Sequence, residues 1–194
     1  MSIDGFALRI EGHILIRSYT DLDARADEVV HLRKRNAVHP ENMSIAVARA
    51  LAGLQTGHLY SLHFGTGGAT VDALQAVVYA DPNTTGSADL NNPVYSEVID
   101  TSRGAPTGNS ASVRHISGSA YSDVEVRCVL DKTEPAGQAS FDNVTTTLAG
   151  GFVFDEMGLK TDDGLLLTHA TFNPVEKTSN RIMEVIYTLR CTVS

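Results

Sequence analysis

Ile182-Met183-Glu184-Val185-Ile186-Tyr187-Thr188-Leu189-Arg190-Cys191-Thr192-Val193 is the stretch whose reading settles the class of this chain. Met183, Val185, Tyr187, Leu189, Cys191 and Val193 share one parity, and Glu184, Thr188, Arg190 and Thr192 share the other. Successive side chains of a strand point to opposite faces, so the alternation marks a half-buried β-strand. Between Met183 and Val193 only Ile186 breaks the polar parity, which leaves the second face wet or lightly covered. Upstream, Gly164 to Phe172 reads as another strand, with Asn173-Pro174 and Ser179-Asn180 punctuating the connection. The expectation is a closing β-hairpin with nothing catalytic in it.

The same alternation recurs toward the N-terminus. Phe6, Leu8 and Ile10 alternate, Gly12 interrupts, and Ile14 and Ile16 resume, as in a strand bent or bulged at its glycine. Ser18 to Glu28 is acidic and short of apolar anchors, so an exposed loop is expected before a strand at Val29 to Arg35. One amphipathic helix near residues 40–56, about four turns long, then follows. Pro40 and Glu41 suit its start, Ile45, Val47, Ala48, Leu51 and Leu54 give its apolar stripe, and Gly57 sits where it should stop. Further strands are read at His58–Phe64, Leu74–Tyr79, Val94–Ile99 and Val124–Leu130, and around Phe152 and Phe154. Asp131 to Gln138 is a turn-rich link. Residues 81–93 and 101–111 are polar and rich in loop-forming residues. Loops of that length are functional or become ordered against a partner. No solenoid repeat or heptad is present, and the whole describes a single all-β domain over residues 1–194. The predicted fold is a sandwich or barrel, mainly antiparallel, with about eight or nine strands and one helix.

Composition narrows the function classes. A chain of 194 residues buries a core without staples, and with 6% aromatic residues and no Trp that core is built from Val, Ile, Leu and Ala. A net charge of -8 argues against a nucleic-acid binder, and Arg33-Lys34-Arg35 is too short a run to reverse that. The start of the sequence shows no basic segment followed by an apolar stretch, and no run of about 18 apolar residues occurs. The expectation is therefore a chain made and kept in a cytoplasm, with no membrane partner. Cys128 and Cys191 fall in apolar strand patterns and read as small buried hydrophobes. They pair only if their strands are neighbours, which the sequence leaves open.

Gly65-Thr66-Gly67-Gly68 follows a strand but lacks the Lys-Ser/Thr of a P-loop and the third glycine of a dinucleotide fold, so it reads as a structural turn. His13, His31, His39, His58, His63, His115 and His169 include no His-x-x-x-His pair, and no metal site is expected from them. Asp155 and Glu156 are adjacent and should project to opposite faces of an extended chain, a poor arrangement for a glycosidase pair. Asp162-Asp163-Gly164 is a hairpin turn, not a calcium loop. Asn83-Thr84-Thr85 and Asn143-Val144-Thr145 match glycosylation acceptors by composition only. No catalytic residue, cofactor or metal is expected.

Three blocks carry a resemblance. Lys34-Arg35-Asn36-Ala37-Val38-His39-Pro40-Glu41-Asn42-Met43-Ser44 and His58-Leu59-Tyr60-Ser61-Leu62-His63-Phe64-Gly65-Thr66-Gly67-Gly68 resemble tailed-bacteriophage virion structural proteins. Phe154-Asp155-Glu156-Met157-Gly158-Leu159, with Leu167-Thr168-His169-Ala170-Thr171-Phe172-Asn173-Pro174-Val175-Glu176-Lys177, is similar to their closing segment. The resemblance implies a non-enzymatic β-rich subunit of the virion at the neck or collar of the head–tail junction. It would associate with itself as a ring or multimer and with portal, connector, tail or capsid proteins. Segments of the Phe-x-Glu-x-Gly-Leu kind also recur in tail-fibre and baseplate modules. The alternatives are a capsid decoration protein, a baseplate or tail-fibre attachment protein, and a carbohydrate-binding β-sandwich whose loop carboxylates or histidines would meet a sugar.

Overall fold

Leu8–Tyr19 (β1) is the longest N-terminal strand, and its even-numbered residues Ile14 and Ile16 are buried while Arg9 and His13 face solvent. The computed structural model describes residues 5, 7–23, 25–86, 88–136 and 152–194. After β1 come Val29–Val38 (β2), the helix Pro40–Leu51 (α1), Leu59–Gly65 (β3), Ala69–Val71 (β4), Val77–Tyr79 (β5) and Pro93–Val98 (β6). A 3₁₀ turn at Thr101–Arg103 leads to Ser110–His115 (β7) and Tyr121–Leu130 (β8). Phe152–Thr161 (β9), Thr168–Lys177 (β10) and Ile182–Val193 (β11) complete the chain. Nine strands form one antiparallel curled sheet in the order β6-β3-β9-β10-β2-β1-β11-β8-β7, and β4 and β5 form a separate hairpin. The fold is all-β with one α-helix among the described residues, as the alternation predicts.

The core lies in the hollow of the curl. Ile14 and Ile16, Leu62 and Phe64, Val126, Cys128 and Leu130, Met157 and Leu159, Phe172 and Val175, and Val185, Tyr187 and Leu189 point into it. Met43 and Ala46 of α1 cover one part of it. Among the described residues, ring–ring contact is confined to Phe64, whose ring sits 4.8 Å from that of Phe154 and 6.1 Å from that of Tyr95.

Several sequence expectations are corrected by this topology. The last two strands do not form a hairpin: β1 and β2 lie between them, so β11 pairs with β1 and β8, and β10 pairs with β9 and β2. Alternation identifies a strand but carries no information on which strand it meets. Asn173 and Pro174 lie inside β10, at a register shift between Thr171 and Val175, and the true connection is the turn Thr178–Arg181. Gly12 does not bend β1; it keeps register with Asn36 and Leu189, and the irregularity falls at Ile16/Arg17. A Cβ on Gly12 would collide with the Asn36 side chain, which reaches inward to donate to the Tyr187 hydroxyl. The helix ends at Leu51, not near residue 56, because Gly53 at φ +68 lets Leu54 N–H return to Arg49 O and Gly53 N–H to Ala50 O. Its start is read correctly, with Pro40 in the first turn and His39 as the cap accepting from Asn42 N–H.

Candidate functional site

The densest grouping of chemistry-bearing side chains sits on β9 and β10, under the glycine turn. Phe154 and Met157 both face the core although they are three positions apart, so the alternation of β9 slips at Asp155-Glu156. The slip turns both carboxylates toward the same overlying loops, in contrast to the opposite faces expected of a regular strand. Glu156 is fully buried and accepts four hydrogen bonds: from Gly67 N–H at 3.2 Å, Asn91 N–H at 2.9 Å, Asn92 N–H at 2.7 Å and His169 Nε2 at 2.9 Å. Asp155 accepts from Gly68 N–H at 2.7 Å and Ala69 N–H at 3.2 Å. The glycines are needed for this approach, since a Cβ on Gly67 or Gly68 would strike Asn91 or the Asp155 backbone.

His169, also fully buried, accepts from Asn83 N–H through Nδ1 at 2.7 Å. A ring nitrogen that accepts bears no proton, so the proton is on Nε2 and is donated to Glu156. Burial alone would raise the pKa of Glu156, but the hydrogen bonds from His169, Asn92 and Asn91 outweigh it and hold the carboxyl below its usual range. Asp155 is shifted the other way, pushed up by burial and by the charge of Glu156, with Gly68 and Ala69 N–H working against the shift. A carboxylate–imidazole pair exchanges protons with a substrate only if one partner is reachable, and here both are sealed from solvent. The glycine turn is likewise no phosphate cradle: its N–H groups are already spent on the protein's own carboxylates. What the arrangement does is fasten two loops to the sheet.

This also changes the reading of residues 81–93. Asn83, Asn91 and Asn92 are tied to His169 and Glu156, Leu90 is buried, and Asp89 accepts from Lys160 Nζ at 2.7 Å. The loop is ordered by its own sheet, not left waiting for a partner. In the 101–111 stretch, Asn109 is buried and bridges two strands, and residues from Ser110 onward form β7 instead of loop.

The remaining sequence candidates are scattered. Asp162-Asp163-Gly164 is the turn from β9 to β10, with Gly164 at φ +88 and Asp162 accepting from Gly57 N–H and Arg103. His39 caps α1, His58 lies near Asp100 and Asp162, and His115 meets Tyr121 O and Ser122 Oγ. His63 shares a hydrogen bond with Ser61 Oγ at 2.9 Å, and burial with the nearby Lys160 lowers its pKa to about 4. His31 meets Ser18 Oγ, and His13 is exposed. Among the described residues no three His, Cys, Asp or Glu side chains converge as metal ligands. Cys128 and Cys191 are free. Their strands are neighbours, but Cys128 faces Val185, six positions from Cys191 and about 20 Å along the strand, so no disulfide spans them. Of the basic run, Lys34 donates to Thr171 O at 2.6 Å while Arg33 and Arg35 stay exposed. Asn83 spends its amide on Asp89 O and Asn91, and Asn143 lies outside the described residues.

Sequence reasoning missed a second buried charge centre. Glu184, fully buried on β11, accepts from Arg17 Nε and Arg127 Nε, each at 2.5 Å, with Arg25 at 3.4 Å. Burial opposes its ionisation, yet Arg127 and Arg17 hold the carboxyl below its usual range. The available signal was position: Glu184 faces Arg17 and neighbours Arg127 once β11 is placed between β1 and β8.

Against these buried charge centres stand the exposed apolar features. The β4–β5 hairpin rests on β10, where Tyr79 donates to Asn173, but Leu74 at its tip is 88% exposed and Val71 59%. A groove of about 540 Å³ between β1 and α1 is lined by Leu8, Ile10, Val38, Met43, Val47 and Leu51. Strand β7 is exposed on both faces, with Val113 74% exposed. No helix among the described residues is long and apolar enough to cross a membrane. No known protein family, curated protein or solved structure matches this chain.

Proposed function

We propose that this chain is a non-enzymatic structural subunit of a tailed-phage virion, at the neck or collar where head meets tail. It acts there through contacts with its own copies and with portal, connector, tail or capsid proteins. The observation that carries this reading is the β4–β5 hairpin. A two-stranded hairpin is marginal by itself, and this one holds Val71, Leu74, Val77 and Val78 out in solvent, where docking against another protein removes them from water. The buried carboxylates and His169 serve as internal fasteners, which gives the loops the stiffness a load-bearing wall requires. Among the described residues the groove beside α1 has aliphatic walls and no aromatic ring on which a sugar would stack, so it lends nothing to the carbohydrate-binding alternative.

The test is to locate the chain on intact particles by density or by labelled antibody. A ring at the head–tail junction is the expected result. Copies on the head surface would move the assignment to a decoration protein, and copies at the tail tip to the baseplate or fibre attachment. Absence from every particle, together with a turnover by the folded chain that is abolished by a substitution leaving the unfolding midpoint unchanged, would overturn the proposal.

A further inference from the structure

The two outer strands of the sheet, β6 and β7, are finished differently. Strand β6 begins with Pro93, has a register shift at its junction with β3, and its Val98 carbonyl is taken by Asn109 Nδ2 at 3.1 Å. Proline, irregularity and a covering side chain are the usual means of closing an edge. Strand β7 has none of them: it pairs in unbroken register with β8 from Ser110 to His115, contains no proline, and no described strand meets its other side.

The free side of β7 can be assigned group by group. Val193 N–H donates to Ala120 O, and ladder bonds alternate, so the even residues of β8 face β11 and the odd ones face β7. Ser110, Ser112 and Arg114 therefore bond to β8 through Arg127, Glu125 and Asp123. The N–H and C=O groups of Ala111, Val113 and His115 point outward, and none of them has a partner among the described residues. On the outer face, Asp123 is held by Arg190 through both oxygens at 2.8 and 2.9 Å, leaving Arg114 a long contact of 3.5 Å. Glu125, two residues away on β8, has no ion pair among the described residues.

We infer that β7 pairs antiparallel with β7 of a second copy of this chain, with Val113 on the twofold axis. In that register Val113 faces Val113 of the second copy and Ala111 faces its His115, so every outward N–H and C=O is bonded. The exposed Val113 side chains meet each other on the concave face. On the other face, Arg114 of each copy lies beside Ser112 of the other, whose short side chain leaves the way open to Glu125. Charge selects this register over its neighbours. Centring on Ser112 would put Arg114 beside Ser110 and next to Arg127, and centring on Arg114 would oppose it to itself. The inference rests on the assembly reading only in that copies must meet.

Cysteine cross-linking of the full chain in a Cys191→Ser background tests it. Across the hydrogen-bonded Val113 pair the Cα atoms stand about 5.5 Å apart, which a disulfide spans. Val113→Cys is expected to give a covalent dimer on mild oxidation, and Ser112→Cys is expected to form no covalent dimer. Val113→Lys, which blocks the edge without touching the core, should sediment as a monomer with an unchanged unfolding midpoint. Arg114→Glu should weaken the wild-type dimer about tenfold. Cross-linking through Ser112→Cys in place of Val113→Cys, or a wild-type chain monomeric at ~100 µM, overturns the inference. A larger assembly that Val113→Lys leaves intact also overturns it, while leaving the virion reading standing. A Val113-dependent dimer from a chain absent from particles does the reverse.

Discussion

Strands β6 and β7 follow one another in the chain, yet one borders a region tied down by the chain's own side chains and the other meets no further strand among the described residues. Beside β6, Glu156 gathers the loops at Gly67, Asn91 and Asn92, and Asn109 joins Val98 O to Val129 N–H at 3.1 and 2.6 Å. At β7 the outward backbone and Val113 are left to solvent. The difference teaches that exposure here is selective. A chain able to close one edge with three separate devices has left the other open, and the same openness marks the β4–β5 hairpin.

The contrast breaks most severely at Glu156. Glu156→Ala should destabilise the fold by about 3–5 kcal/mol, since it strands His169 and three backbone N–H groups in a buried place; urea unfolding measures the loss. Asn109→Ala should cost about 1–3 kcal/mol, by orphaning Val129 N–H and Val98 O at once. A loss below the scatter of surface substitutions at either site would remove the distinction between the two edges.

Acid titration sharpens the same comparison, because His63 and Glu156 are both shifted by burial and by their neighbours. The unfolded chain takes up a proton on His63 near the ordinary 6.5, whereas the folded chain resists until about 4. The unfolded state therefore binds more protons in that window, and stability should fall as pH drops through it, by up to about 1.4 kcal/mol per pH unit. Glu156 has the same sign at lower pH: its depressed carboxyl stabilises the fold above the usual carboxylate range and loses that effect as it is protonated. Replacing His63 with Asn should flatten the upper window and leave the lower one. Chemical denaturation at a series of pH values reads both. The smallest effect is expected at the open edge, where Val113→Lys should change monomer stability by no more than about 0.5 kcal/mol.

The sequence made some of this legible and hid the rest for physical reasons. β11 could be read over all its residues because its odd-numbered face is buried from Met183 to Leu189 and stays apolar to Val193. The start of α1 and the turn at Asp162–Gly164 followed from proline and glycine chemistry local to the chain. β7 went unseen for the opposite reason: Ser-Ala-Ser-Val-Arg-His has no buried face, so no alternation was written into it. β4 was missed likewise, and Leu74, read as part of a strand, is the tip of the hairpin. The partnership of Glu156 with His169 was hidden because its donors come from loops at residues 67 and 83–92, brought together only by the order of the strands. Nor could local pattern show the slip of β9 that turns Asp155 and Glu156 the same way.

Amide hydrogen exchange along β7, followed as a function of protein concentration, bears most directly on the claim that this edge is left open for a second copy. The account predicts that Ser110, Ser112 and Arg114 are protected at all concentrations, while Ala111, Val113 and His115 exchange freely in dilute solution and gain protection as concentration rises. Val113→Lys should abolish that gain. Unprotected exchange at Ala111, Val113 and His115 across the whole range, or protection already complete in the dilute monomer, would contradict it.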